Sequence, residues 1–123
     1  MTWSAMRHVS LRAAKSLAQY GVEIEVIDLR TLWPWDRETV FASVCRTGRL
    51  LVVQEAVSVS GFGAEIAASV AEALHHELRA PVRRLGAPRI PIAYAPPFEE
   101  MARVRENAII DAVQSMIAPC TAA

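Results

Sequence analysis

The sequence predicts an α/β fold, a three-layer α/β/α sandwich around a mostly parallel mixed sheet. Three observations carry this. Segments with the three-and-four spacing of a helix alternate along the chain with short strand-like runs. Leu50–Val53 is a continuous apolar run between polar ends, as expected of a strand covered on both faces. Residues that stop one element and start the next stand between the segments: Gly21, Asp36 and Gly48.

Met1–Ser4 reads as the tail of a strand. Residues 5–20 read as a helix, with Met6, Val9, Ala13, Leu17 and Tyr20 on one face and Gly21 ending it. Residues 22–29 alternate Val22, Ile24 and Val26 against Glu23 and Glu25, which predicts a strand. Trp33-Pro34-Trp35 breaks it, and Asp36 is an N-cap for a helix over 37–46 that Gly48 closes. After the Leu50–Val53 strand, Ser58–Gly63 is a small-residue loop. A helix follows to about Leu78, buried through Ile66, Ala67, Val70, Ala71, Leu74 and Leu78. Pro81–Leu85 is a short strand. Residues 86–97 contain four prolines and are expected to hold little regular structure. A last helix spans 106–117, and 118–123 is an expected frayed tail.

At 123 residues the chain fits one domain, 1–123. Its apolar share of 53% is slightly above that of an ordinary soluble domain and points to surface hidden against a partner. The formal net charge of zero, with Arg and Glu scattered, gives no basic stripe for nucleic acid. No apolar stretch approaches the roughly 18 residues of a membrane span. The start lacks a signal-peptide core, so a cytoplasmic location is expected. Cys45 and Cys120 have neither metal-ligand nor redox-motif spacing.

The stretch S-G-F-G-A-E-I at 60–66 lies between a strand and a helix, where free N–H groups can hold phosphate. Ile66 stands where a dinucleotide fingerprint needs its third glycine, and no Walker lysine follows. The glycines equally fit a tight turn with close packing, or an intersubunit contact. Glu55 closes the central strand, where a carboxylate can serve a ligand or bond a loop or an arginine. Trp33 and Trp35 would be costly to leave wet, which makes them candidates for contact with another domain or for packing on this domain's own helices. His75 and His76 are adjacent, so a helix would point them about 100° apart, and His8 is alone. No Ser/His/Asp set, Cys/His pair or metal cluster emerges, so no catalytic, cofactor-binding or metal residue is assigned.

The strings E-V-I-D-L-R-T-L-W-P-W-D (25–36), R-T-G-R-L-L-V-V-Q-E-A (46–56), G-F-G-A-E-I (61–66) and A-P-V-R-R-L-G-A-P-R-I-P-I-A-Y (80–94) resemble, in this order, one family. It is the C-terminal domain of the beta subunit of 2-oxo acid dehydrogenase first components, pyruvate or branched-chain, within the transketolase C-terminal superfamily. The resemblance covers residues 2–117. It implies a three-layer sandwich whose first strand is antiparallel and at the sheet edge, with Met1–Ser4 lying inside that strand.

For function the resemblance implies an assembly domain of an enzyme that oxidatively decarboxylates a 2-oxo acid on thiamine diphosphate with Mg²⁺ and passes the acyl group to a lipoyl arm. The chemistry would lie on a pyrimidine-binding domain and an alpha subunit. The further implied partners are a second beta subunit and a lipoyl acyltransferase core. The fragment itself would carry no cofactor and no activity. Glu55, Gly61, Phe62, Gly63 and Glu65 match the family's strand-end and glycine-loop pattern and, with Trp33 and Trp35, are the interface candidates. Ser58-Val59-Ser60 departs from the arginine and second glycine common there. Self-association to a homodimer or higher is expected from the apolar excess, the tryptophan loop and the shortened first strand. The competing readings are a stand-alone interaction module of the same fold and the C-terminal domain of a transketolase or deoxyxylulose-phosphate synthase.

Overall fold

The structure is a computed structural model and describes residues 1–92 and 94–118. Its elements run α1 (Met6–Ala18), α2 (Arg37–Thr47), β1 (Leu51–Val57), α3 (Phe62–Leu74), β2 (Arg83–Ala87), α4 (Pro96–Ala102) and α5 (Glu106–Ile117). The strands β1 and β2 pair in parallel, Leu51 opposite Arg83 and Val53 opposite Leu85.

Two further segments extend this parallel arrangement. Thr2 bridges Asp28 on one side and Val53 on the other, both in parallel. Its N–H donates to the Ile27 carbonyl at 2.8 Å, and its carbonyl accepts from Leu29 at 2.9 Å. On the other side the Met1 carbonyl accepts from Val53 at 3.0 Å. The order across the sheet is therefore 22–29, Met1–Thr2, β1, β2. This corrects the edge position and antiparallel sense expected for Met1–Ser4, because Thr2 has a partner on each flank.

It also explains why 22–29 is not the strand its alternation predicts. The segment finds a hydrogen-bonded neighbour only at its C-terminal end, around Ile27–Leu29, and a strand exists only where a ladder forms.

Helices cover both faces. On one side Met1, Leu50 and Val52 meet Val40 and Val44 of α2 and Ile66 and Val70 of α3. On the other, Val53 meets Met6, Ala13 and Leu17 of α1 and Ile109 and Val113 of α5. Successive β1 side chains thus enter opposite cores, which is what the apolar run Leu50–Val53 requires. Each such Val, Leu or Ile contributes about 1.5–3 kcal/mol on burial. The layer of α1 and α5 is also tied by Glu106, which accepts from Ser16 at 2.8 Å and faces Arg12 at 3.4 Å.

Helix ends follow local chemistry. Asp36 caps α2, accepting from the Thr39 N–H at 3.0 Å and the Thr39 hydroxyl at 2.7 Å. Thr39 thereby holds the Asp36 carboxyl below its usual range. Gly48 ends α2 in the left-handed region at φ 67°. Helix α1 stops at Ala18, so Tyr20, expected on its inner face, lies beyond the helix and is exposed. Helix α3 stops at Leu74 rather than near Leu78, and the Arg79 N–H instead donates to the Gly48 carbonyl at 2.8 Å. Strand β2 sits two residues later than expected, where Arg83 can donate to the Leu50 carbonyl at 3.0 Å. Helix α4 forms inside the proline-rich stretch because Pro96 and Pro97 occupy a first turn whose N–H groups need no partner. Of the expected frayed tail, all but Ala118 lies outside the described residues, as does Cys120.

Candidate functional site

The C-terminal end of β1 and the turn into α3 are organised by Gln54, which closes the apolar run L-L-V-V and is not among the residues expected from the sequence to form the site. It is fully buried. Its Nε2 donates to the Val57 carbonyl at 2.7 Å, and its Oε1 accepts from the Gly63 N–H at 2.8 Å. A side-chain amide thus satisfies one of the N–H groups that a helix start leaves without partner.

The glycines make room for that amide. A Cβ on Gly61 would lie 2.1 Å from Nε2, and one on Gly63 would lie 2.5 Å from Oε1 and 2.7 Å from Val52 Cγ1. On the neighbouring strand, a Cβ on Gly86 would lie 2.6 Å from the Ala56 carbonyl. Ser58 completes the junction, donating from its N–H to the Ala87 carbonyl at 2.9 Å and from its hydroxyl to the Gly86 carbonyl at 3.1 Å. The β1–β2 register shifts between Val53 and Val57 at this junction.

This arrangement uses the α3 N-terminus internally. The Gly63 amide is taken by Gln54, and Glu65 places a carboxylate in the first turn of α3, the wrong charge for a phosphate. Phe62 is half-buried and meets Trp3 edge-on at 6.3 Å between centroids. Of the candidates, Gly61 and Gly63 therefore pack on Gln54, whereas Phe62 packs on Trp3 and Glu65 stands in the first turn of α3. Glu55 is exposed on β1, near enough to α4 to join Glu99 and Glu100 in holding Arg103 charged, Glu99 acting most strongly.

The two loop tryptophans separate. Trp33 is 80% exposed, whereas Trp35 is 7% exposed and packs in the chain's own core, edge-on to Phe41 at 6.1 Å. Of the alternatives open for Trp35, the structure shows packing on this domain's own helix.

Beyond β2 the chain presents apolar surface. Ile90, Ile92, Tyr94, Phe98 and Met101 are exposed, and α4 buries none of its residues. Val57 and Val59, at the end of β1 that pairs with Ala87, are exposed as well. A concentration of large apolar side chains of this kind marks a contact surface.

Charged groups elsewhere serve local structure. Glu25 accepts from the Ser43 hydroxyl at 2.7 Å and from Arg46. The Ser43 bond, then Arg46, hold its carboxyl below the usual range. Glu23 and Glu25 therefore do not act as a pair. His75 and His76 lie past the end of α3, so their rings do not diverge as on a helix but meet at 3.6 Å between centroids. Among the described residues no group of three or more His, Cys, Asp and Glu could hold a metal ion. None of the described helices is long and apolar enough to cross a membrane.

Parallel strands, two helical layers and a glycine turn locked onto a strand end define the class, and comparison bears on it directly. Residues 1–109 match the model of the transketolase C-terminal domain, and the chain belongs to that family. It is 39% identical over 116 residues to the pyruvate dehydrogenase E1 component subunit beta of Chaetosphaeridium globosum, covering 94% of this chain and 36% of that protein. It is 40% identical over 115 residues to the mitochondrial 2-oxoisovalerate dehydrogenase subunit beta 2 of Arabidopsis thaliana, covering 94% of this chain and 32% of that one. Among solved structures it is similar to a split gene transketolase described as an inactive beta4 tetramer. That match has TM-score 0.79 and 25% identity and covers 94% of this chain and 36% of the other. The chain thus spans about a third of the length of these relatives.

Proposed function

We propose that the chain, as one domain, is the C-terminal assembly domain of the beta subunit of a thiamine-diphosphate-dependent 2-oxo acid dehydrogenase. The whole enzyme oxidatively decarboxylates pyruvate or a branched-chain 2-oxo acid. This part contributes subunit contacts and no chemistry of its own. The carrying observation is the exposed apolar set Ile90, Ile92, Tyr94, Phe98 and Met101 with Val57 and Val59, on a domain that matches about a third of each beta-subunit relative. Its partners in this reading are a pyrimidine-binding domain, an alpha subunit, a second beta subunit and an acyltransferase core.

The residues present do not fit thiamine diphosphate. The one helix start that the sequence offered for a phosphate has its Gly63 amide taken by Gln54 and carries Glu65. No step is therefore derived through that group. Calorimetric titration of the chain with thiamine diphosphate and Mg²⁺ tests this, with no binding heat expected. A micromolar dissociation constant would overturn the non-catalytic part of the proposal.

The stand-alone module is the second reading, favoured by the alternative use of Trp35 as core rather than contact. Coding sequence immediately upstream distinguishes the two. An in-frame pyrimidine-binding domain supports the beta-subunit reading, and an unrelated gene supports the module. A cytoplasmic location goes with either reading in a cell without organelles, whereas relatives from Arabidopsis are named chloroplastic or mitochondrial. Cell fractionation with an antibody to the chain tests it.

A further inference from the structure

Because β1 and β2 run in parallel, the segments that enter them, 48–50 and 79–82, lie together at the amino-terminal edge of the sheet. The Arg79 N–H donates to the Gly48 carbonyl and the Arg83 N–H to the Leu50 carbonyl. Three arginine side chains meet at this edge. Arg79 crosses Gly48 so closely that a Cβ on the glycine would lie 2.6 Å from its Cγ and 3.1 Å from its Nε. Arg49 donates from Nε to the Met116 carbonyl at 3.0 Å, and Arg83 donates to the hydroxyl of the preceding residue, Ser115. Arg49 and Arg83 therefore both rest on the last turn of α5, with Arg79 beside Arg49. Every group that places them lies within residues 48–116.

Elsewhere the chain pairs its arginines. Arg7, Arg12, Arg30, Arg46, Arg103 and Arg105 each face a carboxylate. Arg49, Arg79 and Arg83 face none among the described residues. Nearby, Glu25 is taken by Ser43 and Arg46, and Glu77, on the turn before Arg79, forms no ion pair with the three. The C-terminal ends of α2, α3 and α5 point to this edge, each equivalent to about half a negative elementary charge, which offsets only part of three full positive ones. Arg49 Nη2, Arg83 Nε and the whole Arg79 guanidinium keep donors with no acceptor among the described residues. Arg79 and Arg83 are exposed, and Ile117, next to Met116, is 41% exposed beside them.

We infer that this edge docks an acidic segment of a second polypeptide, its carboxylates on Arg49, Arg79 and Arg83 and one apolar side chain on Ile117. The charge that the chain leaves unanswered here selects an anion, and guanidinium forks match carboxylates in geometry. The setting selects carboxylates spread along a peptide over a compact phosphate. A phosphate is held by converging N–H groups at helix starts, whereas this edge presents helix ends, whose carbonyls repel a compact dianion. A peptide puts one charge at each arginine and keeps clear of those carbonyls. Ile117 supplies the apolar contact that an ionic surface alone lacks. The surface lies at the opposite edge of the sheet from Val57, Val59 and the apolar set after β2, so it stands independently of the assembly role proposed above.

The test titrates the isotope-labelled 123-residue chain by NMR with the peptide acetyl-Glu-Asp-Leu-Glu-Asp-Glu-amide at low salt. Saturable shifts are expected in the amides of 47–50, 79–83 and 115–117, weakening as salt is added. The peptide acetyl-Gln-Asn-Leu-Gln-Asn-Gln-amide, the same shape without charge, is expected to bind at least about tenfold more weakly. It varies only the ligand, so folding of the chain is not at stake. The Arg79→Gln, Arg83→Gln variant is expected to weaken the acidic peptide about tenfold with its melting temperature kept, and Arg103→Gln, at an arginine already paired, to leave binding unchanged. The inference is overturned if millimolar acidic peptide shifts none of these amides, or if the neutral peptide binds equally well. It is also overturned if tripolyphosphate binds the same residues more tightly than the peptide, which would give the edge to phosphate.

Discussion

The Gln54 side chain and the Gly63 backbone form the link between β1 and α3: Oε1 accepts the Gly63 N–H at 2.8 Å, deep in the core, with no room for a β-carbon on the glycine. A strand end and a helix start are thereby fixed to one another by a neutral amide, which can accept from the helix and donate to Val57 at once.

Replacing either partner should therefore be costly. Gln54→Leu leaves the buried Gly63 donor without a partner, removes the donor to the Val57 carbonyl and is expected to cost about 1–3 kcal/mol. Gly63→Ala forces a β-carbon against Gln54 and Val52 and is expected to cost about 1–3 kcal/mol. Urea denaturation measures both. Because the two residues share one bond, the double variant should lose less than the sum of the single ones.

The tryptophan loop gives a sharper contrast. Trp35→Ala empties a core position and should lower stability by about 3–5 kcal/mol. Trp33→Ala removes an exposed ring and should change it by less than about 0.5 kcal/mol. Equal losses in thermal denaturation would contradict the placement of the two rings.

The α/β class, the helices at 37–46 and 106–117 and the double-sided burial of Leu50–Val53 were legible because each rests on local periodicity or a local cap, such as Asp36 and Gly48. The alternation at 22–29 is real, but a strand forms only along a ladder, and only Ile27–Leu29 bond a neighbouring segment, at Thr2. Helix α4 was hidden by prolines that break a helix interior but suit a first turn. The glycine turn was visible. Its organiser was not singled out, although a glutamine inside the run L-L-V-V-Q, followed by Gly61 and Gly63, is a signal of a buried amide. The sidedness of Trp33 and Trp35 depends on packing and has no local signature.

In the 123-residue polypeptide, acidity should act through the Met1 amine. Burial lowers the Met1 amine from its ordinary 8.0 to about 6, with Glu25 opposing the shift. The unfolded chain then binds a proton that the folded chain does not between these two values. Stability should rise as pH increases from about 6 to 8, with the penalty fully present below 6 and absent above 8. Its size is on the order of 2 kcal/mol. Glu25, carried with Arg46 and Ser43, works in a lower range, where its lowered carboxyl loses stability only as pH falls through its folded value. N-terminal acetylation should flatten the slope between 6 and 8 in urea titrations at fixed pH steps, and an unchanged slope would contradict the assignment to Met1.

The assembly role is tested most directly by sedimentation velocity at high micromolar concentration, comparing the chain with its Phe98→Asp, Met101→Asp variant. Both side chains are exposed and α4 buries nothing, so the variant should keep its melting temperature. The chain is expected to sediment as a dimer or larger species and the variant as a monomer. A chain that stays monomeric throughout, or a variant that assembles equally well, would contradict the account.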